Sequence, residues 1–144
     1  MDESTIRLIE ADHKALALWA HGCAIRVLPY FTAERPEDTR LTEALQSLQG
    51  WIDGSVEATD VHAASFGAHN AAREADSEEA RQAARTAAHA ADTARDPIHA
   101  AIAANYARKA VSAGTLGEGP EWLEDEIAEQ KRTAPEHLTA WTKR

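Results

Sequence analysis

The sequence predicts an all-α protein, a compact bundle of about six helices with closely packed Ala-rich helices at its centre. Ala, the residue with the highest helix propensity, fills much of residues 57–114. Nowhere does the alternation of apolar and polar residues that is typical of strands continue for more than a few positions. Because small side chains let helix axes approach closely, we expect residues 57–114 to form three tightly packed helices.

Two breaks divide this Ala-rich stretch. Ser77 precedes two glutamates and is a good N-cap. Pro97 suits the first turn of a helix, where its missing N–H is not needed. The predicted helices are therefore about 57–75, 77–95 and 97–113.

Two apolar helices are predicted before this stretch. We expect the first to begin with Asp12 as its N-cap and to continue to about Phe31, with apolar residues at steps of three and four. Leu18 and Ile25 widen its apolar stripe, which predicts a central helix buried on much of its circumference. The second helix is expected to end at Gly54.

The C-terminal part is predicted to contain a flexible linker and a short acidic helix. Glycines and a proline at 114–120 predict the linker, and the helix is expected from Glu121 to Arg132, ending before Pro135. Leu138 and Trp141 could dock the tail. A length of 144 residues suits a single helical domain, residues 1–144.

Composition narrows the classes of partner and the cellular location. There are 24 acidic and 15 basic residues and a net charge of −9, which argues against nucleic acid or an anionic membrane surface and favours a basic partner. We find neither a signal-peptide pattern nor an apolar span, so the cytoplasm is the expected location. A single cysteine, Cys23, excludes an intrachain disulfide. No cofactor is predicted, and the oligomeric state stays open, with a homodimer through Ala-rich surfaces as one option.

Catalytic patterns are weak in this chain. There is no glycine-rich phosphate loop, nucleophile elbow or zinc-protease helix. His21 and Cys23 are two residues apart, a spacing that points side chains to different faces of a helix, so they do not form a nucleophile and base pair. We therefore do not predict an enzyme.

The three Ala-rich helices each carry polar and aromatic side chains on one face, because steps of three and four return to the same side of a helix. These residues are His62, Phe66, His69 and Arg73, then Arg81, Arg85, His89, Asp92 and Asp96, then His99, Ile102, Tyr106 and Lys109. If the faces converge, the favoured interpretation is structural histidines hydrogen-bonded between helices. A second interpretation is a small-molecule pocket, and a third is a divalent-metal site. The pocket would be lined by Trp19, His69, His89, His99 and Tyr106, and the metal site by His69, His89, Asp92 and His99.

The stretch from Glu118 to Glu129 holds six acidic residues without a compensating Lys or Arg, interrupted by Trp122 and Leu123. One interpretation is a solvated helix whose acidic start complements the helix dipole. The other is a docking patch for a basic protein, in which charge speeds association and an aromatic residue anchors the complex. The residues predicted for partner binding are Trp122, Glu124, Asp125 and Glu126, with Glu37 and Asp38 as a second spot.

Several stretches between about Leu16 and Val111 resemble one protein family. They are Leu18-Trp19-Ala20, Cys23-Ala24, Arg26-Val27-Leu28-Pro29, Asp38-Thr39-Arg40, Ala44, residues 51–54, residues 68–73, residues 88–91 and residues 99–110. The chain resembles the immunity proteins of bacterial polymorphic toxin systems, in particular the Ala- and His-rich, all-helical immunity-five-like group. Where that group tends to continue with another His near the end of the fourth helix, this chain has Arg95-Asp96-Pro97.

The resemblance implies a cytoplasmic, all-helical immunity protein that binds a cognate toxin and blocks it. The acidic composition is compatible with a basic toxin as the partner. The competing hypotheses are a small-molecule-binding accessory or resistance protein that uses the His/Trp/Tyr pocket, and a divalent-metal hydrolase on the same histidines. A polar cavity between the Ala-rich helices would favour the pocket, whereas a closed bundle would leave the acidic surface as the candidate.

Overall fold

The computed structural model describes residues 8–114 and 121–143, and within these ranges the chain is all-α. The described helices are α1 (Glu10–Thr32), α2 (Arg40–Asp53), α3 (Ala58–Glu74), α4 (Glu78–Asp92), α5 (His99–Gly114), α6 (Glu121–Thr133) and α7 (Thr139–Thr142), with a short 3₁₀ helix at Glu136–Leu138. The predicted all-α bundle is confirmed, with seven α-helices in the described ranges where about six were expected. Among the described residues no helix is long and apolar enough to cross a membrane.

Helix α4 occupies the centre together with α1. It packs against α1, α2, α3 and α5, and Ala supplies seven of its nine buried residues. Helix α1 packs against α2, α4, α5 and α6. Its burial is narrower than predicted, because Leu18 is 54% exposed and Ile25 46% exposed.

Local signals placed most helix ends correctly. The Ser77 hydroxyl accepts a hydrogen bond from the backbone N–H of Ala80, as an N-cap does. Gly54 ends α2 in the left-handed conformation with φ at 88°, which glycine adopts without steric cost. Pro97 lies two residues before α5 instead of in its first turn, because Asp96 accepts the backbone N–H of Ile98 and holds a turn there.

The predicted N-cap at Asp12 is wrong. Helix α1 begins at Glu10, and Asp12 lies within its first turn. The Asp12 carboxylate accepts a hydrogen bond from His137 Nε2 at 2.8 Å and so ties the C-terminal segment to α1. Leu138 is buried as predicted, and the partly buried Trp141 packs against the core. The predicted linker lies outside the described residues except for Gly114.

Candidate functional site

Helices α3, α4 and α5 bring together the polar faces that the spacing predicted for each of them. We call His62, His69, His89, Asp92, His99 and Tyr106 the histidine cluster. The ring centres of His69 and His89 are 5.0 Å apart and those of His89 and Tyr106 5.1 Å apart. Because most buried residues of these helices are alanines, the helices lie close enough for rings from all three to meet.

Asp92 is the buried anion of the cluster, with 5% of its surface exposed. Its Oδ2 accepts a hydrogen bond from His69 Nε2 at 3.3 Å. Burial acts to raise the pKa of Asp92, but the hydrogen bond from His69, the nearby Ser65 hydroxyl and the charges of His99 and His69 outweigh it and lower that pKa to about 2. The carboxylate is therefore charged at neutral pH.

Arg85 fixes the orientation of the His69 ring. Its Nη1 lies 2.6 Å from His69 Nδ1, and since a guanidinium only donates, this ring nitrogen must be the acceptor. The ring hydrogen then belongs on Nε2, where it points to Asp92. Arg85, His69 and Asp92 thus form one continuous chain of hydrogen bonds between α3 and α4.

His89 lies between two other rings. It stacks on Tyr106 with an angle of 4° between the ring planes, and its Nδ1 lies 3.0 Å from Nδ1 of His99. One of these two nitrogens must donate and the other accept, so the two rings cannot both be protonated in this arrangement. Burial lowers the pKa of His89 to about 4, with contributions from His69 and His99, and burial also lowers the pKa of His99.

Three members of the cluster have the spacing of a metal site. His69, His89 and Asp92 each offer one ligand atom, and these atoms lie within 4.8 Å of one another. His99 adjoins them through His89. Coordination through His69 Nε2 would move the ring hydrogen to Nδ1, where it would point at the N–H of Arg85. The hydrogen bonds of His69 therefore compete with metal binding. Metal binding stays a prediction, and the hydrogen-bond network accounts for the same residues.

Trp19 lies apart from the histidines with which it was predicted to line a pocket. The Trp19 Nε1 donates to the Gln130 backbone carbonyl at 3.0 Å, so the indole faces α6. There it lines a cavity of about 520 Å³ that contains no member of the histidine cluster. Sequence reasoning also missed Arg85 and Ser65 as partners of the cluster, although Arg85 was already on the correct face of α4.

Helix α6 presents part of the predicted acidic patch to solvent. Glu124 and Asp125 are exposed, and Trp122 is 47% exposed. The prediction that Glu126 belongs to the exposed patch is wrong. Its carboxylate is buried and accepts two hydrogen bonds of 2.8 and 3.0 Å from Arg26. It falls on the inward side of α6 with Gln130, which also donates to it.

A groove of about 440 Å³ runs beside this patch. We call it the acidic groove, and it is lined by Arg26, Tyr30, Val111, Trp122, Asp125, Glu126 and Glu129. Its lining holds three carboxylates, of which Glu126 binds Arg26, Glu129 binds the exposed Arg132, and Asp125 is exposed. The groove therefore combines aromatic walls with excess negative charge.

The second acidic spot lies in the loop that follows α1, at the end of the bundle where Tyr30 reaches the groove. Glu37 is exposed, whereas the Asp38 carboxylate binds Arg40 with an N–O distance of 2.7 Å. Burial and the charge of Glu79 raise the pKa of Tyr30, so the start of α4 also brings negative charge to this end. Sequence reasoning used Glu79 only as part of the helix start after Ser77 and did not assign it to this surface.

The comparisons with known proteins add one finding. Residues 7–137 match the family described as Imm-5 like putative immunity protein, a stretch that includes every helix from α1 to α6. Searches of the curated proteins and of the solved structures gave no match. The chain therefore belongs to the family of Imm-5 like putative immunity proteins.

Proposed function

We propose that the protein binds a basic protein toxin at the acidic groove, with Trp122 as the anchor, and that this binding neutralises the toxin. The observation that carries the proposal is the exposed Trp122 beside a groove of carboxylates. Membership of an immunity-protein family supports a toxin as the partner and a role that is not enzymatic.

Charge favours a basic partner at this end of the molecule. The chain carries a net charge of −9, and Glu37, Glu124 and Asp125 are exposed there. Opposite charges raise the association rate of two proteins, and charged side chains at the rim influence that rate more than the final affinity. Such a surface can cover the part of a toxin that would otherwise bind phosphate.

Trp122 has the properties of a binding anchor. Aromatic residues dominate the energetics of many interfaces when a partner buries them, and Trp is prominent among these hot spots. Here the indole joins Tyr30 and Val111 in lining the groove, so an aromatic and aliphatic surface continues inwards from it. A cationic side chain of the toxin would meet aromatic faces and carboxylates at one place.

The experiment uses the product of the adjacent reading frame as the candidate toxin. We expect co-expression of the immunity protein to restore bacterial growth and the two purified proteins to form a complex. Trp122→Ala should weaken the affinity roughly 30-fold or more, as truncation of a hot spot does. Glu124→Lys with Asp125→Lys should slow association by about tenfold at low salt.

A matched control reverses two charges at the other end of the bundle. Asp53 and Asp60 are exposed and lie where α2 ends and α3 begins. Asp53→Lys with Asp60→Lys changes the net charge by the same amount and should leave growth rescue intact and association much less affected. An equal loss of association rate in both double variants would refute a local acidic site. Unchanged toxin affinity in Trp122→Ala would refute the role of Trp122 as the anchor.

A further inference from the structure

We propose that the cavity of about 520 Å³ between α1, α5, α6 and the C-terminal segment binds a small organic anion, whose charged group is held by Arg108. Its volume lies within the range of ligand pockets in proteins. It shares no lining residue with the acidic groove, so it is a separate site.

The cavity walls suit a ligand with an apolar body. Trp19, Ile127, Ala134 and Pro135 contribute indole, aliphatic and ring surfaces. The Trp19 ring is held in place because its Nε1 donates to the Gln130 carbonyl. A flat aromatic or short aliphatic body can therefore pack against a preformed wall.

The charged residues of the cavity are mainly cations. Among the described residues, Arg108, Lys131 and Lys143 line it together with one acidic residue, Glu136. This balance contrasts with a net charge of −9 for the whole chain. Three cations around one concave site favour an anion as its occupant.

Arg108 supplies the most specific evidence. Its Nε is buried and has no hydrogen-bond partner, although buried N–H groups are nearly always paired and an unpaired one is costly. Arg26, by contrast, binds Glu126 through two of its nitrogens. A carboxylate, sulfonate or phosphate in the cavity would accept hydrogen bonds from the Arg108 guanidinium where it lines the wall. A small shift of the side chain would bring the enclosed Nε into the paired geometry that guanidinium groups prefer.

The test compares two aromatic probes of nearly equal shape, the anion naphthalene-2-sulfonate and the neutral naphthalene-2-sulfonamide. Isothermal titration calorimetry should show at least tenfold tighter binding of the sulfonate. In ¹H–¹⁵N spectra, the Trp19 indole N–H should shift on binding, whereas that of Trp122 in the acidic groove should not. No measurable binding of the sulfonate at millimolar concentration would overturn the proposal.

Substitutions then identify the anion contact. Arg108→Gln should lower the affinity for the sulfonate at least tenfold and leave the affinity for the sulfonamide unchanged. Arg108→Lys keeps the positive charge but loses the paired N–H donors of the guanidinium, so its affinity for the sulfonate should be intermediate. Lys131→Gln should lower the affinity for the sulfonate a few-fold. Arg132→Gln is the control, because Arg132 is exposed, binds Glu129 and does not line the cavity.

Thermal melts would show whether each variant folds. If Arg108→Gln fails to fold, the Arg108→Lys and Lys131→Gln variants still decide the question. Equal sulfonate affinity in the wild type, Arg108→Lys and Lys131→Gln would refute an anion site here, as would a sulfonamide that binds as tightly as the sulfonate.

Discussion

Replacement of His89 by Gln is expected to make the stability of the protein less dependent on pH. In the folded protein burial lowers the pKa of His89 from 6.5 to about 4, and His69 and His99 lower it further while Asp92 opposes them. Unfolding restores the ordinary pKa, so between these values the unfolded chain binds a proton that the folded chain does not. The free energy of unfolding contributed by His89 is therefore present above about pH 6.5 and is lost as the pH falls towards 4.

The magnitude follows from the two pKa values. Between pH 7 and pH 5 they correspond to a loss of about 2 kcal/mol in the free energy of unfolding. The ring of His89 is only partly buried, so solvent screens its charge and we expect about 1 kcal/mol. Gln cannot bind the proton, so this loss should be missing in His89→Gln. Burial, the largest cause of the lowered pKa of His99, remains in the variant.

Urea denaturation followed by circular dichroism at pH 7 and pH 5 measures this difference. EDTA should be present, because a divalent ion on His69, His89 and Asp92 would itself couple stability to pH. The free energy of unfolding lost between pH 7 and pH 5 is measured in both proteins. The decisive quantity is the loss in the wild type minus the loss in His89→Gln. Equal losses of stability in the two proteins, or an NMR titration of His89 near pH 6.5, would refute the description of His89 as a partly buried ring that stays neutral.

Three other substitutions and one control, Ala63→Leu, test the packing by urea denaturation. Ala88→Leu should destabilise the protein by about 1–3 kcal/mol because Ala88 is fully buried in α4, whereas Ala63→Leu on the exposed side of α3 should change stability by less than about 0.5 kcal/mol. Gly54→Ala should cost about 1 kcal/mol because φ is 88° there, and no loss would contradict the left-handed helix end. Glu126→Gln should cost about 2 kcal/mol by removing the charge that binds a partly buried arginine, whereas a neutral effect would show that Glu126 faces solvent.

The sequence was most informative where structure depends on neighbouring residues. Ser77 and Gly54 were correctly placed because caps and left-handed ends are determined within a few residues. The Asp12 prediction failed because the backbone N–H groups of Asp12 and His13 already bond to the Ile9 carbonyl, so the helix begins before Asp12. The Asp12 carboxylate instead binds His137, which is 125 positions away. Contacts of that kind depend on how the last segment packs, which the spacing of residues along one helix does not reveal.

The candidate sites were predicted only in part for the same reason. Helical periodicity correctly placed His69, His89 and His99 on faces that converge. In the packed bundle, the orientation of α1 about its axis places Trp19 against α6 and away from these rings. The orientation of α6 places Glu126 on its inward side. Periodicity groups residues on a face, but the packing of the whole bundle decides which element that face meets.

The distribution of alanine explains why both proposed binding sites adjoin α6. In α3, α4 and α5 most buried residues are alanines, and their small side chains allow close helix packing. At α6, by contrast, larger side chains line the two sites. Trp122 lines the acidic groove, and Trp19 and Ile127 line the cavity proposed to bind an organic anion. Because these two sites have no lining residue in common, substitution of Trp122 should leave naphthalene-2-sulfonate binding unchanged, and substitution of Arg108 should leave toxin binding unchanged. A loss of both activities in either variant would indicate a disturbed α6 instead of two separate sites.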